Sequence, residues 1–431
     1  MTHGYALHLD ATCDRGRGGL FLCLDGFTGW VLHALKIGSE NEAELRPAIA
    51  RTLAAFGDPL AIMRDLGSAI AKSVADCRQR GIPDLLCHYH FLAAVGKQLL
   101  DEDYARLRGQ LSRSKLRTRL RGLLRASCAP SENLRQDLPA LLLWLLEGTG
   151  HKHPGFPFAL PHLDFYLRCE QFPAACERRL PTPRSRREQD LLGQVNSALH
   201  DLRWLQRPAP TARRLELRWA LFCELRDVLR LSAQDLPHGQ RPAPAAMPPD
   251  RLLQAVAADL ERFQQDLRQR LQTRPSDPAQ KPPEAILLAY LERYGEGLCG
   301  HPVVRDPSGC VVAVVARTNN VLEQFFATAK QGLRRRLGRA HLGRDLQDQP
   351  AQVALVANLH DPHYVRILCG GLDQLPQAFA ALDCPTAPDP SRLQRNNRDE
   401  PRRRLNRAWA NDATQAPSPA LNTQAPTPTG L

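Results

Sequence analysis

The sequence predicts an α/β chain: a mixed sheet with flanking helices, interrupted by a large all-α insertion. Three observations carry this. Apolar runs of strand length crowd into residues 1–100, helical periodicity alone fills residues 101–300, and strand character returns just after residue 300.

The elements follow in order. Tyr5-Ala6-Leu7-His8-Leu9-Asp10 reads as a short apolar strand that ends on a carboxylate. Two more strands, at 19–24 and 30–36, flank the turn-rich Asp25-Gly26-Phe27-Thr28-Gly29. Ser39-Glu40-Asn41-Glu42 forms a capping box that opens a helix through Phe56, with Leu45, Ile49, Leu53 and Phe56 as its buried stripe. Leu60-Ala61-Ile62-Met63 is a fourth strand and finishes near a second carboxylate, Asp65. A helix over 68–80 turns Ile70, Val74 and Cys77 inward, 84–87 is a fifth strand, and Cys87-His88-Tyr89-His90 starts a helix toward Leu100. The order is βββαβαβα.

From Asp101 to Gly300, Arg- and Leu-rich helical patterns alternate with Pro-rich breaks. Strands at 302–305 and 310–316, joined by Asp306-Pro307-Ser308-Gly309, are expected to resume the sheet. Arg317-Thr318-Asn319-Asn320-Val321-Leu322-Glu323 opens a helix to about Leu337. The expected parts are 1–100 and 301–383 as two halves of one α/β unit, 101–300 as the insertion, and 384–431 as a disordered tail.

The 431 residues are 43% hydrophobic, enough for a real core, and carry a formal charge of +12. That balance points to a polyanionic partner, nucleic acid first. Arg supplies 50 of the 57 basic residues, and its guanidinium fork suits phosphate, although a GC-rich coding sequence gives the same bias. Twelve Cys without a CxxC pair read as reduced thiols of a cytoplasmic protein. Neither an apolar run of about 18 residues nor a basic-then-apolar leader is present, so no membrane partner is expected.

Asp10 and Asp65, if their strands are neighbours, share one edge of the sheet and suit a pair of divalent cations. Glu323 is the candidate third acid. Lys330 and Arg334 follow it by seven and eleven residues, within about 20° of its helix face, which suits a phosphate backbone beside a metal site. Each acid has a plainer role open to it. Asp10 and Asp65 could be turn or cap residues, and Glu323 could close a capping box on Asn320. Cys87 and His90 have metal-like spacing but no second pair nearby, so a closed structural zinc site is not expected.

The succession LHLDAT, IMRD, CHYH and RTNNVLEQFF resembles the RNase H-like DDE transposases that carry a helical insertion before the last acid. That class includes the Mutator-like and hAT-like elements and several bacterial insertion-sequence groups. The resemblance covers about 5–100 and 300–340. It implies an RNase H-like fold, Asp10, Asp65 and Glu323 as a catalytic and metal-binding triad, and two Mg²⁺ ions with Mn²⁺ as a substitute. Cys87-His88-Tyr89-His90 matches the class's Cys-x-x-His signature, which makes Cys87 and His90 supporting residues. Arg317, Asn319, Asn320, Lys330 and Arg334 are the expected DNA contacts. The implied partners are element ends and target DNA, bound by a homo-oligomer in a bacterial cytoplasm. The chain departs from the class in starting directly on its first strand, so end recognition is expected from a missing segment or a separate subunit. A nuclease on the same fold and a non-catalytic DNA-binding remnant are the rival readings.

Overall fold

β1 (Ala6–Asp14), β2 (Arg17–Asp25) and β3 (Val31–Ile37) form an antiparallel meander, and β4 (Ala61–Arg64) and β5 (Asp84–Leu86) extend it in parallel. The sheet order is β3-β2-β1-β4-β5. The computed structural model describes residues 4–14, 17–127, 137–147, 155–180, 186–200, 207–231, 249–273, 281–339 and 341–381. The expected tail at 384–431 lies outside them. By contact the chain divides into two compact units after Asn358. In the second, a helix at Pro362–Cys369 is capped by Asp361, whose carboxylate accepts from His363 N at 2.8 Å.

Strand alternation sends the two sides of β1 to different cores. Leu7 and Leu9 pack with Phe21, Cys23 and Ile62 beneath α1 (Glu42–Phe56) and the short helices α2 (Ser68–Ser73) and α3 (Ala75–Gln79). Ala6, Ala61, Met63, Leu85 and Cys87 line the opposite face with Val315. Farther along that face, Leu22, Leu24 and Val31 meet Leu322 and Phe326.

α4 (His88–Arg113) follows β5 without a break. It runs through Asp101, so the change of composition falls inside one helix and not between two elements. Its inner stripe, Phe91, Val95, Leu99 and Leu107, joins a helical core that includes Phe165, Phe222 and Leu291. Gly96 permits the close approach, because a Cβ there would stand 2.6 Å from Pro157 and 2.8 Å from Phe222. Asp103, buried in α4, is gripped by Arg214 at 2.9 Å and Arg218 at 3.4 Å. Residues 101–300 are strand-free among those described, as expected.

The sheet does not resume after the insertion. β6 (Val303–Arg305) and β7 (Val311–Val314) pair only with each other, as a separate two-stranded ribbon. Its turn is the expected one: Asp306 Oδ1 accepts from Ser308 N and Cys310 N, both at 2.9 Å. Beyond it, Asn320–Leu337 forms the long helix of the first unit's C-terminal part, here α5. No helix among the described residues is long and apolar enough to cross a membrane.

Candidate active site

β1 is longer than its apolar run. It continues through Thr12 to Asp14, so Asp10 lies in mid-strand and does not end it. The parallel register Ala6↔Ala61, Leu7↔Ile62, His8↔Met63 stops where β4 ends. Extending it by two residues sets Asp10 across from Asp65, and both point to the face that carries α5. Asp10 Oδ1 accepts from Ala11 N at 2.7 Å. Asp65 Oδ1 accepts from Gly67 N at 2.9 Å. Arg64 steadies the end of β4, with two bonds to Asp84 at 2.7 and 2.8 Å and a third to Asp65 O at 2.8 Å.

A fourth carboxylate joins the group that the sequence did not single out. The cap of α1 is Asn41, whose side chain accepts from Glu44 N at 3.0 Å while Glu44 Oε1 accepts from Asn41 Nδ2 at 2.7 Å. The capping box is therefore Asn41 with Glu44, two residues later than Ser39 with Glu42. Glu40 is released toward Asp65: a Cβ on Gly67 would stand 2.9 Å from both Glu40 Oε1 and Asp65 Oδ1. The Glu40 carboxyl is pushed up by burial and by Asp65. Asp10 is pushed up to about 8, first by burial and then by Asp65, Glu323 and Glu40. Like charges held together without a counter-charge have this effect.

Glu323 arrives on the first turn of α5. The helix starts at Asn320 with Asn319 as its cap position, and Asn319 makes no side-chain bond to the helix end. Glu323 thus does not close a capping box on Asn320. Its Oε1 faces His90 Nε2 at 3.4 Å instead, and His90 comes from the first turn of α4. Burial raises the Glu323 carboxyl, and His90 opposes that rise. Cys87 is fully buried, its thiol pushed up to about 12 by desolvation. The ligand atoms of Cys87, His90 and Glu323 lie within 4.8 Å of one another.

Asn319 is not a DNA contact. It is fully buried and ties three elements together. Its Nδ2 donates to Leu9 O at 3.2 Å, so its Oδ1 is left to accept from His8 Nδ1 at 2.9 Å. Its backbone N–H donates to Cys87 Sγ at 3.2 Å. His8 therefore carries its proton on Nδ1, and burial lowers its pKa. A Cβ on Gly26 would strike the buried Nε2. Asn319→Ala is expected to cost about 2–3 kcal/mol in urea unfolding, because it orphans a buried donor and a buried acceptor. A loss below about 0.5 kcal/mol would remove Asn319 as the pin of α5.

Arg317 reaches into the helical insertion and is half-buried. Its Nη1 donates to Leu229 O at 2.6 Å, within the helical insertion, and its carbonyl accepts from His88 N at 3.0 Å. Asn320 is half-buried in the first helical turn. Lys330 Nζ donates to Cys13 O at 3.2 Å, beside the far end of β1, and Arg334 is exposed one turn on. His151, His153 and the 402–404 Arg run lie outside the described residues.

The structure groups Cys87, His90 and Glu323 within 4.8 Å, sets Asp10 across from Asp65 with Glu323 near enough to raise the Asp10 carboxyl, and carries Lys330 and Arg334 along the same helix as Glu323. The donor set around Asp10 is all carboxylate oxygen, the chemistry that Mg²⁺ prefers. Gly67→Ala tests the packing of this edge. The φ of −56° at Gly67 suits alanine, so the fold should hold. The new methyl displaces Asp65 and Glu40, and any Mg²⁺-linked rise in thermal stability should disappear. A Gly67→Ala protein that keeps the full Mg²⁺ response would show that these carboxylates do not act together.

No family model matches the chain, and no curated protein matches its sequence.

Proposed function

We propose that the chain is an RNase H-like, DDE-type phosphodiester-transfer enzyme acting on DNA, as its resemblance to the insertion-bearing transposases implies. The observation that supports this reading is the facing position of Asp10 and Asp65 on neighbouring parallel strands, with Glu323 near enough to raise the Asp10 carboxyl. The sheet order β3-β2-β1-β4-β5, an antiparallel meander followed by two parallel strands, makes β1 the central strand and puts Asp10 beside the end of β4. Asp10, Asp65 and Glu323 would hold two Mg²⁺ ions, with Glu40 beside them. Bound there, the ions would supply an activated attacking oxygen and a stabilised leaving oxygen.

The chain's own work is positioning. Gly67 N and Ala11 N orient the two aspartates, and His90 holds Glu323. Asn319 fixes the start of α5 against β1. Lys330 and Arg334 meet the phosphate backbone entering the site. In this reading water first frees a 3′-OH, and that hydroxyl then attacks target DNA, with no covalent intermediate on the protein. A nuclease on the same fold would stop after the first step.

The test is a labelled duplex incubated with the full chain and Mg²⁺, scored for nicked and joined products. Nicking without joining favours the nuclease. No metal-dependent product with any duplex favours the non-catalytic remnant. The basic face has its own measurement: replacing Lys330 and Arg334 with Ala should weaken binding to all sequences alike. The slope of log affinity against log salt should fall by about 0.9 for each lost phosphate contact. An unchanged slope would move the DNA-binding surface into the insertion.

A further inference from the structure

The cluster Cys87, His90 and Glu323 has a donor set that the hard, oxygen-loving ions of the proposed chemistry do not use. A buried thiol, an imidazole and a carboxylate converge from the start of α4 and the start of α5, their ligand atoms within 4.8 Å of one another. His90 Nδ1 is shielded from solvent and lacks a hydrogen-bond partner, and Glu323 Oε1, equally shielded, makes no hydrogen bond but faces His90 Nε2 at 3.4 Å. Cys87 Sγ already accepts the backbone N–H of Asn319 at 3.2 Å, the kind of bond that supports a metal-bound thiolate. His90 and Glu323 keep side-chain exposures of 31% and 21%, so one side of the cluster is open.

We propose that Cys87, His90 and Glu323 form a three-ligand site for a borderline divalent cation, Zn²⁺ by its ligand chemistry, with the fourth position open to solvent. Sulfur, nitrogen and oxygen donors together suit zinc and exclude Mg²⁺ and Ca²⁺. Tetrahedral zinc sets such atoms about 3.3–3.7 Å apart, given bonds of about 2.0–2.3 Å. The ligand atoms, within 4.8 Å of one another, would draw in by about 1 Å to reach that size. On binding, the Cys87 sulfur exchanges its proton for the metal, and the proton leaves to solvent through the open side. The proposal does not rest on the DNA-cleavage reading. The two share Glu323, which zinc would draw away from Asp10 and Asp65, and His90, which in the cleavage reading holds Glu323.

Cobalt(II), a spectroscopic stand-in for zinc, tests it on the full chain. One equivalent should give a thiolate-to-cobalt charge-transfer band with tetrahedral visible bands, both displaced by stoichiometric Zn²⁺. Cys87→Ala should abolish the charge-transfer band. His90→Ala, at a part-exposed position that leaves the core intact, should weaken Zn²⁺ affinity beyond the roughly 10–100-fold cost of losing an outer supporting residue. Two results overturn the proposal. One is the absence of a charge-transfer band in the wild type. The other is a band that survives Cys87→Ala, which would assign the metal to exposed thiols such as Cys13 or Cys310. Both readouts are independent of DNA, so failure here leaves the cleavage reading untouched, and a failed cleavage assay leaves this one standing.

Discussion

Asp10→Asn, Asp65→Asn and Glu323→Gln are each expected to reduce Mg²⁺-dependent cleavage by at least about a thousandfold while leaving the fold intact. Each change keeps side-chain shape and removes the charge that would hold the metal. Asp10→Asn carries a second signature that a purely structural aspartate would not. The Asp10 carboxyl ionises near 8 in the folded chain and near 3.8 when unfolded. Between those values the unfolded state gives up its proton and the folded state keeps it, so stability falls as pH rises through this window. An amide escapes that cost. In EDTA at pH 7, Asp10→Asn should therefore be more stable than wild type by about 2–4 kcal/mol. Mg²⁺ should stabilise the wild type and not the variant. A variant that loses activity and stability together would mean that Asp10 only holds up the strand. A variant that cuts normally would remove it from the triad.

Much of this site could be read in the sequence, because its acids sit where apolar runs stop. Asp10 follows Leu7-His8-Leu9, and Asp65 comes one residue, Arg64, after the continuous Ala61-Ile62-Met63. The parallel pairing of those strands then makes the two acids neighbours. What stayed hidden depends on ambiguity or on tertiary contact. Ser39 with Glu42 and Asn41 with Glu44 each have capping-box spacing, two residues out of step, and nothing local chooses between them. The backbone chose the second, which freed Glu40 for the site. β1 outran its apolar stretch because its polar half pairs only with β2, past the end of β4. Asn319, beside Asn320, is expected from the resemblance to contact DNA. Its place under the sheet follows from His8 and Cys87, more than 200 residues away in the chain. The ribbon β6–β7 carried true strand signals, yet period-two alternation cannot say which strand will be its partner.

Lowering the pH from 7 to about 4.5 is expected to cost the wild type about 2–3 kcal/mol more stability than it costs His301→Leu. His88 had no role in the sequence-based argument, but its ring is fully buried and stands edge-on to that of His301 at 5.3 Å. His88 Nε2 donates to Leu298 O at 2.8 Å, while both ring nitrogens of His301 lack partners. Burial holds His301 down to about 4 from its ordinary 6.5, and the Arg317 guanidinium adds to the effect. His88 lies well below 6.5 through burial, His301 and Arg317. Between about 6.5 and 4 the unfolded chain binds protons that the folded one refuses, so stability is full above 6.5 and drains away as pH falls. The weak point matters for function. Arg317 and His88 link the chain segment ahead of Glu323 to Leu229 and Leu298 of the helical insertion. Protonation there should loosen the insertion and the start of α5 together. Urea midpoints at pH 7, 5.5 and 4.5 for wild type and His301→Leu give the comparison, because carboxylates that titrate over this range are common to both proteins. Parallel pH curves would show that the buried imidazoles are not the origin of the acid sensitivity.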